Sequence, residues 1–192
     1  MAQSGRRSPV SRIPALDPAS AQGKAKELLD AVQKSFGTIP NVFRVAAQSP
    51  AALEGLLSLN GAVAHGSLGP KAREQIALAV AETNRCDYCL SAHTFLGKRA
   101  GLSDADIARA RQGRAADLKA DAAVRLAQGL LESRGHPSDA ELAAARRAGL
   151  EDGEIVEVVA ITALNVLTNT LNRVAETDID FPVVRSGIGV AA

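Results

Sequence analysis

The residues best equipped for chemistry lie in one stretch, KAREQIALAVAETNRCDYCLSAHTFLGKRA at positions 71–100, which holds both cysteines of the chain and one of its three histidines. If residues 87–100 form a helix, a turn of about 100° per residue places Cys86, Cys89 and His93 within roughly 60° of one another. One surface then presents two thiols and an imidazole. A helix start also offers unpaired N–H groups and the positive end of the helix dipole, both of which favour a thiolate. An ordinary thiol, with a pKa of about 8.5, is only a few per cent ionised at neutral pH, so a downward shift of one unit multiplies the nucleophile nearly ten-fold.

Glu74 shares a face with Ala77, Leu78 and Ala81 of the preceding helix, and a carboxylate in such an apolar stripe needs a partner. If the helices fold back about a turn near Arg85, position 74 lies opposite position 96 and within a turn of His93. That arrangement makes a relay from Glu74 through His93 to a thiol. The same hairpin brings Glu82 near Cys89, but Glu82 shares the more polar side with Gln75 and Ala79, so Glu74 is preferred. Two arguments disagree on the attacking sulfur. Proximity to the helix start favours Cys86, whereas His93 is one turn from Cys89 and two from Cys86, about 6 Å against about 10.5 Å of axial rise. Other readings of the pair are a metal half-site, with Cys86, Cys89 and His93 joined by Glu74 or His65, and a passive disulfide closing too small a loop to stabilise much. His65, before Gly66, reads as a helix-end cap, and His136, between Gly135 and Pro137, as a solvated loop residue. Tyr88 reads as a packing residue, with a place in the site wall as the alternative.

Elements able to hold these residues are all helical. Asp17-Pro18 opens a helix to about residue 34, ended by Phe36-Gly37, and Pro40-Asn41 opens a short one. Ser49-Pro50 opens a helix to about His65. After the glycines at 66 and 69, Pro70 opens the helix 71–84 that precedes the cysteines. Helices follow at 87–100, ended by Gly101, from Ser103 to near Gly113, at 118–133, at 138–148 and at 152–176, the last reading as a buried central helix. AGLSDADI at 100–107 and AGLEDGEI at 148–155 share one pattern, which fits either an internal duplication or two junctions with the same glycine stop and acidic start. The expected organisation is a disordered arm over 1–12, a single all-α domain over 13–177 and an extended tail over 178–192, laid as a strap over the body or over a neighbouring subunit.

Composition supports packed helices: 46% of residues are hydrophobic, only 3% are aromatic and tryptophan is absent, so the core must be built from small and aliphatic side chains. With 22 basic and 21 acidic residues, a net charge of +1 gives no footprint for nucleic acid or an anionic membrane. The most apolar stretch, 155–171, is interrupted by Glu157, Asn165 and Asn169 and reads as too short and polar to span a bilayer. No signal-peptide pattern is present, so a soluble, cytoplasmic protein is expected. In a reducing compartment a C-x-x-C pair indicates redox chemistry or metal more than a staple.

The spacing Glu74-x11-Cys86-x2-Cys89-x3-His93 resembles the signature of the AhpD-like, or carboxymuconolactone decarboxylase-like, superfamily. Pro40-Asn-Val-Phe-Arg, Gln48-Ser-Pro50 and LNRVAETDIDFP at 171–182 are similar to its peroxidase-related branch, so the likeness covers about residues 10–185. The resemblance implies an all-helical subunit assembled into trimers or hexamers, with thiol peroxidase or disulfide reductase activity. It also implies that Cys89 attacks a hydroperoxide, that Cys86 resolves, and that Glu74 and His93 move protons. AhpD carries a second histidine where this chain has Tyr88. A lactone decarboxylase of the same superfamily works without the cysteine pair. No cofactor is expected, since no flavin, haem or nucleotide motif is present. An exposed dithiol would suit a thioredoxin-like protein, a lipoylated protein or a small thiol as reductant.

Overall fold

The computed structural model describes residues 11–187, and within them every regular element is an α-helix. In chain order these are α1 (Gly23–Phe36), α2 (Asn41–Ala46), α3 (Pro50–Ala64), α4 (Pro70–Thr83), α5 (Asp87–Arg99), α6 (Asp104–Arg111), α7 (Leu118–Glu132), α8 (Asp139–Arg147) and α9 (Asp152–Ala175). The chain is a single all-α domain. Prolines at the first helical position start α3 and α4, where a missing N–H costs nothing. One start differs from the sequence expectation. Asp17 does not open α1; its carboxylate accepts the Ala19 N–H and closes a separate turn, and α1 begins only at Gly23.

The repeated string at 100–107 and 148–155 is one junction made twice. At each, a glycine with φ of +89° (Gly101) or +95° (Gly149) ends a helix, and the leucine after it returns its N–H to a carbonyl five residues back, Leu102 to Gly97 and Leu150 to Ala145. A left-handed residue in that position strongly favours glycine. A capping box then starts the next helix, at Ser103 for α6 and at Glu151 for α9.

The central helix is α4, not α9. Gln75 through Ala81 are all buried, and α4 packs against α5, α6, α7 and α9. Its Ile76, Leu78 and Val80 alternate with alanines, so neighbouring helices approach closely on several sides. By length and composition the 24-residue α9 could cross a membrane, yet Val158 and Ile161 lie in the core shared with α4 and α7. Its buried side also carries Glu154, Thr162, Asn165, Asn169 and Asn172, while Val156, Val159, Leu167 and Val174 are exposed. The apolar residues of α9 thus divide between core and surface, because part of the inward face is taken by polar groups.

Residues 11–13 are anchored: the Arg12 N–H and Ser11 hydroxyl donate to the Ala175 carbonyl at the end of α9. The remainder of the expected arm, residues 1–10, and positions 188–192 of the tail lie outside the described residues. From Glu176 onward the described tail runs without helix across its own subunit. Asp180 accepts from the Asn41 N–H and the Tyr88 hydroxyl, Val184 donates to Ser91, and Ser186 and Arg185 donate to Asp87.

Candidate active site

The hairpin between α4 and α5 places the cysteines. Arg85, in the left-handed region with φ of +50°, reverses the chain, and the Cys86 N–H returns to the Ala81 carbonyl at 2.9 Å. That conformation is uncommon for a residue other than glycine, asparagine or aspartate, and it sits directly before the cysteine pair. Cys86 is therefore the N-cap of α5, its Sγ accepting the Cys89 N–H at 3.3 Å. The two sulfurs are joined as a disulfide, with Cα atoms 5.3 Å apart.

The same hairpin brings Glu74 to His93, with Oε2 and Nδ1 2.9 Å apart and both side chains about one-fifth exposed. The carboxylate in the apolar stripe has the partner it required. With Nδ1 as the donor, the hydrogen bond leaves Nε2 free to accept a proton. Glu82 is engaged elsewhere: it pairs with Arg111 at 2.8 Å and accepts the Gly187 N–H.

Cys89, His93 and Glu74 line one cavity of about 340 Å3, whose walls come from α1 to α5, α9 and Phe181 of the tail. Cys86 is not among its lining residues. Burial corrects one expectation, since Cys86 is 2% and Cys89 3% exposed. The dithiol is not an exposed pair on the surface, because α4, α9 and the tail pack over the start of α5. Cys89 meets the outside through the cavity.

Tyr88, between the cysteines, both packs and lines the cavity. Its ring meets Phe181 edge-on at 5.8 Å, and its hydroxyl donates to Asp180 at 2.8 Å while accepting the Val42 N–H. Burial, together with the neighbouring Asp180 charge, pushes the Tyr88 phenol well above its ordinary range, so it stays protonated near neutral pH. Tyr88 thus ties the tail, through Asp180 and Phe181, to the start of α5.

Asn172 of α9 is a site residue that sequence reasoning missed. Its Nδ2 donates to Cys89 Sγ at 3.4 Å across 83 positions of sequence, and the residue is 4% exposed. Its Oδ1 is buried without a protein partner among the described residues, although Asn172 lines the cavity. A polar residue inside an apolar helix was the available signal, and Asn165 and Asn169 masked it. His65 lies exposed at the end of α3, where its backbone serves as the C-cap, and His136 is exposed in the loop between α7 and α8. Among the described residues no three His, Cys, Asp or Glu side chains are grouped to hold a metal.

Comparison with known proteins agrees with this architecture. Residues 50–132 match the carboxymuconolactone decarboxylase family. An uncharacterized protein of Haemophilus influenzae is 45% identical over 69 residues, a stretch spanning 35% of this chain and 56% of that relative. Among solved structures, an uncharacterized peroxidase-related protein with an alkylhydroperoxidase AhpD core from Ralstonia eutropha superposes with a TM-score of 0.80 at 23% identity, over 91% of this chain and 94% of that one. A peroxidase-related protein from Silicibacter superposes with a TM-score of 0.75 at 19% identity, over 89% and 94% of the two chains. The debrominase Bmp8, in complex with 2,3,4-tribromopyrrole, superposes with a TM-score of 0.72 at 17% identity, over 91% and 93%. At these identities the likeness is one of fold.

Proposed function

From the family match over residues 50–132 and the shared fold, we propose that the chain is a member of the AhpD-like, carboxymuconolactone decarboxylase-like superfamily and a thiol-dependent peroxidase acting through Cys89 and Cys86. The observation that carries this reading is the asymmetry of the pair: Cys89 lines the cavity beside His93 and Glu74, and Cys86 does not. In the reduced protein His93, held by Glu74, takes the Cys89 proton. The thiolate attacks the outer oxygen of a hydroperoxide, the O–O bond breaks, and the departing alkoxide takes a proton from His93 to leave as an alcohol. Cys89 is then a sulfenic acid. The Cys86 sulfur attacks Cys89 Sγ and water leaves, the Cys86 proton and the sulfenic hydroxyl supplying its atoms. The product is the Cys86–Cys89 disulfide. A dithiol reductant returns two electrons and two protons.

Asn172 belongs to this mechanism as the donor that stabilises negative charge on Cys89 Sγ. With both sulfurs buried, the reductant must be a thiol slender enough to enter the cavity, and a reducing cytoplasm would supply it. Self-association through the exposed apolar side of α9 is part of the same proposal.

The test is to treat Cys86→Ser and Cys89→Ser proteins with peroxide and locate sulfenic acid by a dimedone-type probe and mass spectrometry. Cys86→Ser should be labelled at Cys89 and fail to resolve, whereas Cys89→Ser should react slowly. Label on Cys86 at the wild-type rate would reverse the roles. No label on either variant, and no thiol loss in the wild type, would remove the peroxidase reading and favour a lactone decarboxylase that works without the pair.

A further inference from the structure

We propose that the cavity selects amphipathic anions, so that its hydroperoxide substrates carry a carboxylate at the end remote from the reacting oxygen. The peroxidase reading underlies the reacting end only; the selectivity is a property of the cavity wall. Phe43, Leu56, Val63 and Leu164 supply apolar surface for a hydrocarbon or aromatic body. Four of the lining side chains are basic or acidic: Arg73, Glu74, His93 and Arg99. Glu74 is held by His93, which leaves two guanidinium groups to account for.

Neither Arg73 nor Arg99 has a carboxylate partner among the described residues. Arg111, Arg114, Arg125, Arg146 and Arg185 each have one, whereas Arg44, Arg85, Arg134, Arg147 and Arg173 share the lack; what sets Arg73 and Arg99 apart is that they line the cavity. Arg73 uses Nη1 on the Leu68 carbonyl at 2.7 Å, and Arg99 lies over the Phe95 ring at 5.9 Å. Arg73 is thereby held to the backbone and Arg99 is exposed beside Phe95, with most of the N–H donors of both left for a ligand. With Glu74 ionised and His93 neutral, the four groups sum to +1, and protonation of His93 raises this further. A cavity that is apolar in its body and positive at two points of its wall discriminates against neutral hydrocarbons of the same size. A guanidinium fork matches a carboxylate in geometry as well as charge.

The proposal is tested by calorimetric titration of the oxidised protein with octanoate and with 1-octanol, in the wild type and in Arg73→Gln and Arg99→Gln. Octanoate should bind at least about ten-fold more tightly than 1-octanol, as a charge-assisted contact requires. That preference should shrink several-fold in each variant and weaken with added salt. Arg99 is exposed and holds no backbone group, so Arg99→Gln remains informative even if Arg73→Gln loosens the loop at Leu68. Equal binding of octanoate and octanol, or a preference untouched in both variants, overturns the proposal. Because the oxidised protein is titrated, the result does not depend on turnover. Selective octanoate binding without thiol oxidation by any hydroperoxide would keep the anion site and reject the peroxidase reading. Thiol oxidation by neutral hydroperoxides with no octanoate preference would do the reverse.

Discussion

Replacing Asn172 by alanine removes the side-chain donor to Cys89 Sγ, a contact of 3.4 Å at a sulfur that is almost fully buried. Hydrogen bonds to charged groups contribute about 1.5–3 kcal/mol, and a unit of pKa corresponds to about 1.4 kcal/mol, so the Cys89 thiol should titrate about one to two units higher. The rate does not fall by the full factor. Thiolate reactivity rises with basicity with a coefficient of about 0.4–0.5, so at a pH below both titrations the net loss is roughly three- to ten-fold. Above both titrations the order reverses, and the variant should react about three-fold faster or more. The assay is iodoacetamide alkylation of Cys89 in a Cys86→Ser background from pH 5 to 11, followed by mass spectrometry. Asn172→Asp, which sets a carboxylate beside the sulfur, should shift the profile further in the same direction. Asn169→Ala, which removes a neighbour bonded to Asn84 rather than to the sulfur, should leave it in place. Curves that superimpose, or an Asn172→Ala curve lowered by one constant factor at every pH, would refute a role in stabilising the thiolate.

Three other outcomes are expected. Glu74→Gln should slow Cys89 oxidation at neutral pH by about 10- to 100-fold through loss of the base that orients His93, while Glu82→Gln, which weakens the pairing with Arg111, should lower Tm and leave the oxidation rate near wild type; single-turnover thiol loss and thermal melting read both. Burial acting alone would raise the Asp87 pKa, but hydrogen bonds from Arg185 and Ser186 outweigh it and hold the carboxyl below its ordinary value. Its contribution to tail anchoring should persist above the unfolded value of about 3.9 and disappear as pH falls through the lower folded one, so hydrogen-exchange protection of the Ser186 amide should survive at pH 4 and fade below it. Unchanged protection down to pH 2.5 would contradict that linkage. Charge placed at Leu167, as Leu167→Glu, should dissociate any oligomer built on the exposed side of α9, which sedimentation velocity at micromolar concentration measures against a wild type expected to self-associate.

Local rules were enough to read most of the helices and the first half of the site. Capping residues and N1 prolines act within a turn or two of the chain, so the starts of α3 to α9 were legible from residues such as Ser49-Pro50 and Ser103. Helical periodicity likewise relates Cys86, Cys89 and His93, all on α5 or its cap, and a short turn at Arg85 leaves Glu74 little choice but to face His93. Asp17 misled because the same carboxylate closes an isolated turn as readily as it opens a helix. The rest depended on packing between distant segments. A helix apolar on many sides does not state in its sequence which side is covered, so the central place went to α4 and the buried asparagines of α9 turned inward. Asn172 meets Cys89, and Phe181 closes the cavity wall, only after segments some 80 to 90 positions apart are brought together. Burial of the dithiol follows from those same long-range contacts, which no spacing within residues 71–100 encodes.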